Sequence, residues 1–155
     1  MTGQRIATTR RIDAPAERIF ALITDPSGQV AIDGSGMLIA APDARPVGAV
    51  GDTFIMNMDR EPLGDLPMGK YTVKNTIVRF ESDRELAWQP GAVDRSPIGH
   101  TYGYTLTPLG PDATEVTSYC DWSGAHPKLL EMLTWPVVPL SALESSLDNL
   151  QRLTE

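Results

Sequence analysis

The side chains best suited to acid–base chemistry, or to holding a ring-shaped ligand, lie between residues 100 and 104. His100, Tyr102 and Tyr104 are spaced by two. Because successive side chains of a strand point to opposite faces, a strand here places all three on one face. An inward face of this kind lines a hollow with aromatic walls and polar tips, which suits a ligand with rings and hydroxyl groups. The alternative is that both tyrosines pack as ordinary core and His100 lies exposed at a strand end.

If the protein catalyses a reaction, proton transfer is expected from His100, Tyr102 and Asp33. Asp33 precedes a flexible corner at residues 34–36, Gly-Ser-Gly. A carboxylate there could bind a ligand hydroxyl, or act as a base if burial raised its pKa. The simpler alternative is an Asx turn, in which the carboxylate accepts from a nearby backbone N–H. Asp121 is the natural acid–base partner of His100, but the spacing of its strand puts it opposite the apolar face.

A second stripe of candidate ligand contacts is formed by Phe54, Met56 and Met58, which also alternate. Methionine is flexible and polarisable, so it fills irregular pockets that must adapt to a ligand. Each of the three, taken singly, is also typical of ordinary core.

The remaining candidate ligand contacts are three tryptophans and the sole cysteine: Trp88, Trp122, Trp135 and Cys120. Cys120 and Trp122 share the more apolar face of one predicted strand, which we expect to point inward. Trp88 ends another strand, where a core role is the alternative. Trp135 lies beside a proline break, so it either gates a pocket mouth or plugs the end of the core.

No recognisable metal or cofactor motif accompanies these residues. The two histidines and one cysteine show no ligand spacing, so we expect no metal site. The Gly-Ser-Gly corner lacks the rest of a dinucleotide or phosphate fingerprint. It is also too short for the nucleophile elbow of a serine hydrolase. We therefore expect no cofactor.

Composition limits the partners. The 155 residues suffice for one domain with a real core, and the net charge of −7 argues against nucleic acid or an anionic membrane. A single cysteine cannot form an internal disulfide, which favours the reducing cytoplasm. No apolar stretch is long enough to cross a membrane, and the first eleven residues do not resemble a signal peptide. The expected partner is a small hydrophobic molecule; a homodimer stays an open alternative.

The element expected to roof such a pocket is a C-terminal helix after Pro139. Pro136 and Pro139 are incompatible with one unbroken helix, so a short helix is predicted at residues 127–134. Ser141 and Glu144 have the spacing of a capping box. The leucines of the main helix recur at gaps of three and four, which puts them on one side: Leu140, Leu143, Leu147 and Leu150. Such a helix needs an apolar surface beneath it.

The chain before this helix supplies that surface, because its pattern predicts many strands and little helix. A helix is predicted at 16–24, a stop at 25–28 and one more helical turn at 29–33. Strands are predicted at 4–13, 53–59, 70–81, 85–89, 100–107 and 114–122, with an apolar run at 37–41 and a bulge within 70–81. This order predicts an α+β fold with an antiparallel sheet.

Several segments together resemble the Bet v 1-like, START-related (SRPBCC) superfamily, and more narrowly its bacterial polyketide cyclase/dehydrase-like branch. They are residues 12–15, 19–22, 24–26, 51–54, 80–88, 104–108, 114–117 and 143–150. The resemblance implies one domain over residues 1–155 with the helix-grip fold. In that fold a curved antiparallel sheet wraps around a long C-terminal helix, and two short helices follow the first strand. It also implies a hollow, open at one end, that takes a hydrophobic molecule.

Fold does not determine function, so two hypotheses follow. In the first, the cavity binds a lipid- or polyketide-like molecule without turnover. In the second, the protein is a polyketide cyclase or dehydratase whose hollow folds a poly-ketone chain, so that proximity supplies most of the catalysis. His100, Tyr102 or Asp33 would then move the protons. A partner-binding domain with a vestigial cavity is a third alternative.

Overall fold

The computed structural model describes residues 3–43, 45–65 and 67–155. Its elements, in chain order, are β1 (Arg5–Ile12), α1 (Ala16–Ile23), α2 (Pro26–Ile32), β2 (Leu38–Ala40), β3 (Thr53–Asp59), a 3₁₀ turn (Glu61–Leu63), β4 (Lys70–Glu81), β5 (Glu85–Gly91), β6 (Thr101–Gly110), β7 (Ala113–Asp121), α3 (Pro127–Met132) and α4 (Leu140–Thr154). The strands form one seven-stranded sheet in the order β1-β7-β6-β5-β4-β3-β2. Every neighbouring pair in it is antiparallel.

This architecture confirms the predicted α+β helix-grip fold, including two short helices after the first strand and a long helix at the C-terminal end. Strands β3 and β4 have the predicted bounds, and the predicted bulge lies between Ile77 and Arg79. Strand β5 includes Pro90 and ends at Gly91, two residues beyond its predicted end at Gln89. Proline is tolerated there because β5 pairs with β6 only from Glu85 to Trp88, so no ladder hydrogen bond is required on that side.

The C-terminal helix α4 packs its leucine side onto the sheet and α2. Leu143, Leu147 and Leu150 are buried, whereas Leu140 at the first position is 40% exposed. The predicted capping box is wrong: Pro139 is the N-cap, and no side chain caps the helix. Because the helix already begins at Leu140, Ser141 lies inside its first turn rather than before it.

Helices α1 and α2 follow each other with one short break. The tetrapeptide at 25–28, predicted as a stop, also starts α2. Asp25 accepts a hydrogen bond of 2.9 Å from the backbone N–H of Ser27, and Pro26 occupies a first-turn position where its missing N–H costs nothing. A Cβ on Gly28 would lie 2.0 Å from the Leu22 carbonyl oxygen, so glycine allows the two helices to touch.

The core has two parts. The larger joins α1, α2 and α4 to the inner face of the sheet, and its fully buried members include Ile12, Ile19, Leu86, Leu147 and Leu150. The smaller is built on β7 and the chain after it, from Cys120, Trp122 and Ala125, with Tyr102, Leu130 and Trp135 packed against them. Both parts border the cavity described next.

Candidate functional site: an apolar cavity beneath the C-terminal helix

A cavity of about 440 Å³ lies between the inner face of the sheet and α4. Its walls come from strands β2 to β7, from α2 and α4, and from the segment around α3. The volume falls within the range of about 300–1,000 Å³ that is usual for small-molecule sites. Eight predicted site residues line it: Asp33, Met56, Met58, Trp88, His100, Tyr102, Tyr104 and Trp135.

Three other predicted ligand contacts pack in the core instead of the cavity lining. Phe54 belongs to the larger core cluster, and Cys120 and Trp122 belong to the smaller one. All three have inward-facing side chains, as the alternation predicts. The inner face of a helix-grip sheet serves both a packed core and a cavity, and alternation along a strand does not distinguish the two.

His100 immediately precedes β6 and is only 5% exposed, so it is not the exposed residue of the alternative reading. Its ring meets the ring of Trp135 at 5.3 Å and that of Tyr102 at 5.5 Å, both edge to face. Burial lowers the pKa of His100 to about 4, because an imidazolium would lose its hydration there. The imidazole is therefore neutral at pH 7. Its Nδ1 atom has no hydrogen-bond partner among the described residues.

The two predicted tyrosines form an aromatic wall with Trp88. The Trp88 ring stacks on Tyr102 at 6.3 Å and lies 6.1 Å from Tyr104. Burial raises the pKa of both phenols, and hydrogen bonds from the Ser118 and Ser146 hydroxyls to the Tyr104 oxygen only partly oppose the rise for Tyr104. Both hydroxyl groups are therefore protonated at neutral pH, which makes them hydrogen-bond donors and not bases.

Asp33 lies on the cavity wall, but its carboxylate already accepts hydrogen bonds from the turn that follows it. One oxygen accepts from the backbone N–H of Ser35 at 3.0 Å and from its hydroxyl at 2.7 Å. The other accepts from the backbone N–H of Leu38 at 3.1 Å. This is the Asx-turn arrangement that the sequence offered as the alternative. Asp121 likewise accepts from the N–H and hydroxyl of Ser123.

Trp135 lies at the junction of cavity and core. Its indole N–H donates to the Leu129 carbonyl at 3.0 Å, and its ring stacks on Trp122 at 6.2 Å. Trp135 therefore both lines the cavity and packs against the smaller core cluster.

Arg60 was not identified from the sequence. It follows β3, is 5% exposed and lines the cavity. Its Nε and Nη2 atoms donate to the two carboxylate oxygens of Asp65 at 2.9 and 2.7 Å, and Nη2 also donates to the Val137 carbonyl at 2.6 Å. Hydrogen bonding to Asp65 raises the pKa of Arg60. The missed signal is that Arg60 continues the spacing of Phe54, Met56 and Met58.

Asn75 on β4 was missed as well. It is 5% exposed, lines the cavity, and its Oδ1 atom has no hydrogen-bond partner among the described residues. The missed signal was a polar side chain with the same strand parity as Val73 and Ile77. An inward-facing oxygen without a partner carries a desolvation cost that a purely structural core avoids.

Within residues 3–43, 45–65 and 67–155, no three His, Cys, Asp or Glu side chains form a group that could hold a metal ion. In the same part of the chain no helix has both the length and the apolar character needed to cross a membrane.

Comparison with known proteins supports the same architecture. No family model matches the chain. An uncharacterized protein of Mycobacterium tuberculosis is 26% identical over 121 residues, which are 78% of this chain and 49% of that protein. The chain therefore spans about half the length of the curated relative that it matches.

Among solved structures, a protein of Chromobacterium violaceum aligns with a TM-score of 0.65 and 17% identity over 97% of both chains. Norcoclaurine synthase of Thalictrum flavum, in complex with dopamine and hydroxybenzaldehyde, aligns with a TM-score of 0.60 and 16% identity. That match covers 96% of this chain and 84% of the synthase. At such identities the likeness shows the fold alone. The chain has the helix-grip fold of the Bet v 1-like, SRPBCC superfamily.

Proposed function

We propose that the protein binds a small, largely apolar molecule with aromatic or polyketide-like rings, or a lipid-like one, in the cavity beneath α4. The observation that carries this proposal is the cavity itself, about 440 Å³ and walled by aromatic and methionine side chains. Burying apolar ligand surface there contributes about 25 cal/mol per Å². Norcoclaurine synthase, which has the same fold, holds two aromatic molecules, dopamine and hydroxybenzaldehyde.

Native mass spectrometry of the purified protein, compared with its denatured mass, detects a ligand that co-purifies. Titration with N-phenylnaphthylamine, a neutral probe that fluoresces in apolar sites, measures the capacity of the cavity. We expect saturable binding of one probe molecule per chain. Absence of both a co-purified molecule and probe binding would refute the proposal.

A matched pair of variants on β4 locates the binding. Val73→Phe adds volume to a lining position, whereas Thr72→Val changes the neighbouring residue on the other face of the same strand. We expect Val73→Phe to weaken probe binding about tenfold or more, since overfilling a site excludes the ligand. Thr72→Val should bind like the wild type. Equal binding by all three proteins would place the probe elsewhere.

A polyketide cyclase or dehydratase is the second candidate function. The observation that favours it is a neutral imidazole, His100, inside an aromatic cavity that could fold a poly-ketone chain. Against it, a base whose conjugate acid has a pKa of about 4 removes a carbon-bound proton slowly. Asp33, the other proposed proton carrier, is held by three donors of its own corner. Cyclisation of a synthetic poly-ketone thioester, lost in His100→Phe, would reverse this ranking.

We further propose that the protein works in the cytoplasm, since its lone thiol suits a reducing compartment. Cell fractionation tests the location, and light scattering decides whether the chain forms the homodimer that the sequence left open.

A further inference from the structure

Two polar atoms on the cavity wall are buried without a hydrogen-bond partner among the described residues: Asn75 Oδ1 and His100 Nδ1. Both side chains are 5% exposed, and both line the cavity. An unsatisfied buried acceptor costs stability, and native proteins keep few of them. Two such atoms in one cavity therefore suggest that their partners belong to a ligand.

β5 separates Asn75 from His100. Asn75 on β4 pairs with Pro90 on β5, and His100 immediately precedes β6, the other neighbour of β5. After the Trp88–Tyr102 pair the register shifts, because the Ile98 N–H donates to the Pro90 carbonyl at 3.0 Å. Adjacent strands are about 4.8 Å apart, so the backbones of β4 and β6 lie about 10 Å apart across β5. Both side chains line the same cavity, and a diol of two fused rings is a probe matched to that spacing.

The polar groups of the lining favour a ligand with neutral hydrogen-bond donors over a ligand with a carboxylate. The side-chain oxygen of Asn75 accepts hydrogen bonds, and His100 Nδ1 also accepts when the single ring proton of the neutral imidazole is on Nε2. Arg60, the cation of the lining, is already bound to Asp65 through two hydrogen bonds. Asp33 brings a carboxylate to the same wall, so a ligand carboxylate would meet like charge there.

We propose that the cavity selects a neutral, hydroxylated aromatic molecule, two of whose hydroxyl groups donate hydrogen bonds to Asn75 and His100. This inference rests on the proposed binding function and specifies its ligand class. Both atoms are buried, so each side chain must turn to meet a hydroxyl group in the cavity.

Two matched probes test the inference by calorimetric titration of the wild-type protein. The first is a dihydroxynaphthalene with one hydroxyl group on each ring, and the second is the corresponding dimethoxynaphthalene, which has the same rings and no donor. We expect the diol to bind about tenfold more tightly, the effect of two hydrogen bonds. Equal affinities, or tighter binding of the ether, would overturn the inference and leave the proposed function intact. Failure of both compounds and of N-phenylnaphthylamine to bind would overturn both.

Variants separate a ligand-binding role from a structural one. Asn75→Leu and His100→Phe retain the approximate size of each side chain and remove its acceptor, whereas Thr76→Val alters the other face of β4 as a control. We expect each site variant to lose severalfold of the diol preference while the empty protein melts at the same or a higher temperature. A lower melting temperature with an unchanged preference would show a structural role. If one variant does not fold, the other variant and the wild-type pair of probes decide the outcome.

Discussion

The backbone N–H of Gly34 donates a hydrogen bond of 2.9 Å to Ser146 Oγ, which joins the glycine corner after α2 to the C-terminal helix. A Cβ on Gly34 would lie 2.4 Å from the Ala142 carbonyl oxygen and 2.5 Å from the Ser146 nitrogen. The corner therefore touches the helix backbone directly. Because Ala142 and Ser146 line the cavity, this contact helps to set the distance between α4 and the sheet.

Gly34→Ala should destabilise the protein, because the added methyl group must push the corner away from α4. Overpacking of this kind costs about 1–3 kcal/mol. Gly110→Ala is the control, since a Cβ there meets no atom within 4 Å. Urea unfolding measures the free energy of both variants. A loss of equal size at the two positions would show that general backbone effects, and not the contact with α4, are responsible.

The lowered pKa of buried His100 predicts that the stability of the protein depends on pH. Its pKa is lowered from 6.5 to about 4 in the folded protein, so between these values the unfolded chain binds a proton that the folded chain excludes. Stability therefore falls as the pH drops from 6.5 to 4, by about 3 kcal/mol in all for a shift of this size. The neighbouring rings of Tyr102 and Trp135 cannot offset the charge by forming an ion pair.

The measurement is unfolding free energy against pH for the wild type and for His100→Phe. Other groups titrate in the same window, but they contribute equally to both proteins and cancel in the difference. We expect the stability of His100→Phe relative to the wild type to rise as the pH falls from 6.5 to 4, since only the wild type must exclude a proton there. Parallel curves would mean that His100 is accessible to a proton in the folded state.

Arg60 joins two segments beside the cavity, since it holds Asp65 and the Val137 carbonyl together. Arg60→Met keeps most of the apolar stem and removes the hydrogen bonds, each of which contributes about 1.5–3 kcal/mol when one partner is charged. We expect lower stability and a faster release of N-phenylnaphthylamine in stopped-flow experiments. Arg45→Met is the control, because the Arg45–Asp43 ion pair is exposed and contributes about 0–1 kcal/mol. Release rates that match the wild type would show that these segments do not limit ligand exit.

Cys120 should resist thiol reagents in the folded protein. Its side chain is fully buried, and burial raises the pKa of the thiol from 9.0 to about 12. At pH 8 the reactive thiolate is then about a thousandfold rarer than for an ordinary cysteine. Labelling with a thiol-reactive dye should be slow in buffer and fast in urea. Rapid labelling of the folded chain would indicate frequent opening around β7.

Much of the fold could be predicted from local pattern. The alternation in β3, the length of β4 and the leucine spacing of α4 each depend on residues near one another in sequence, and each prediction is confirmed. The errors fell at boundaries. Asp25 and Pro26 are typical of both the end of one helix and the start of the next, so a local pattern cannot separate a stop from a restart.

The sequence by itself determined which side chains point inward, because strand alternation and helical spacing are local properties of the backbone. Only the tertiary structure decided which inward positions meet empty space. Phe54 and Met56 share one stripe, yet Phe54 packs in core and Met56 lines the cavity as well. The same holds for the polar residues: Asn75 and His100 lie far apart in sequence, and only the folded sheet brings both to the wall of one cavity. Alternation is set by one strand, whereas a cavity is set by the distance between the sheet and α4.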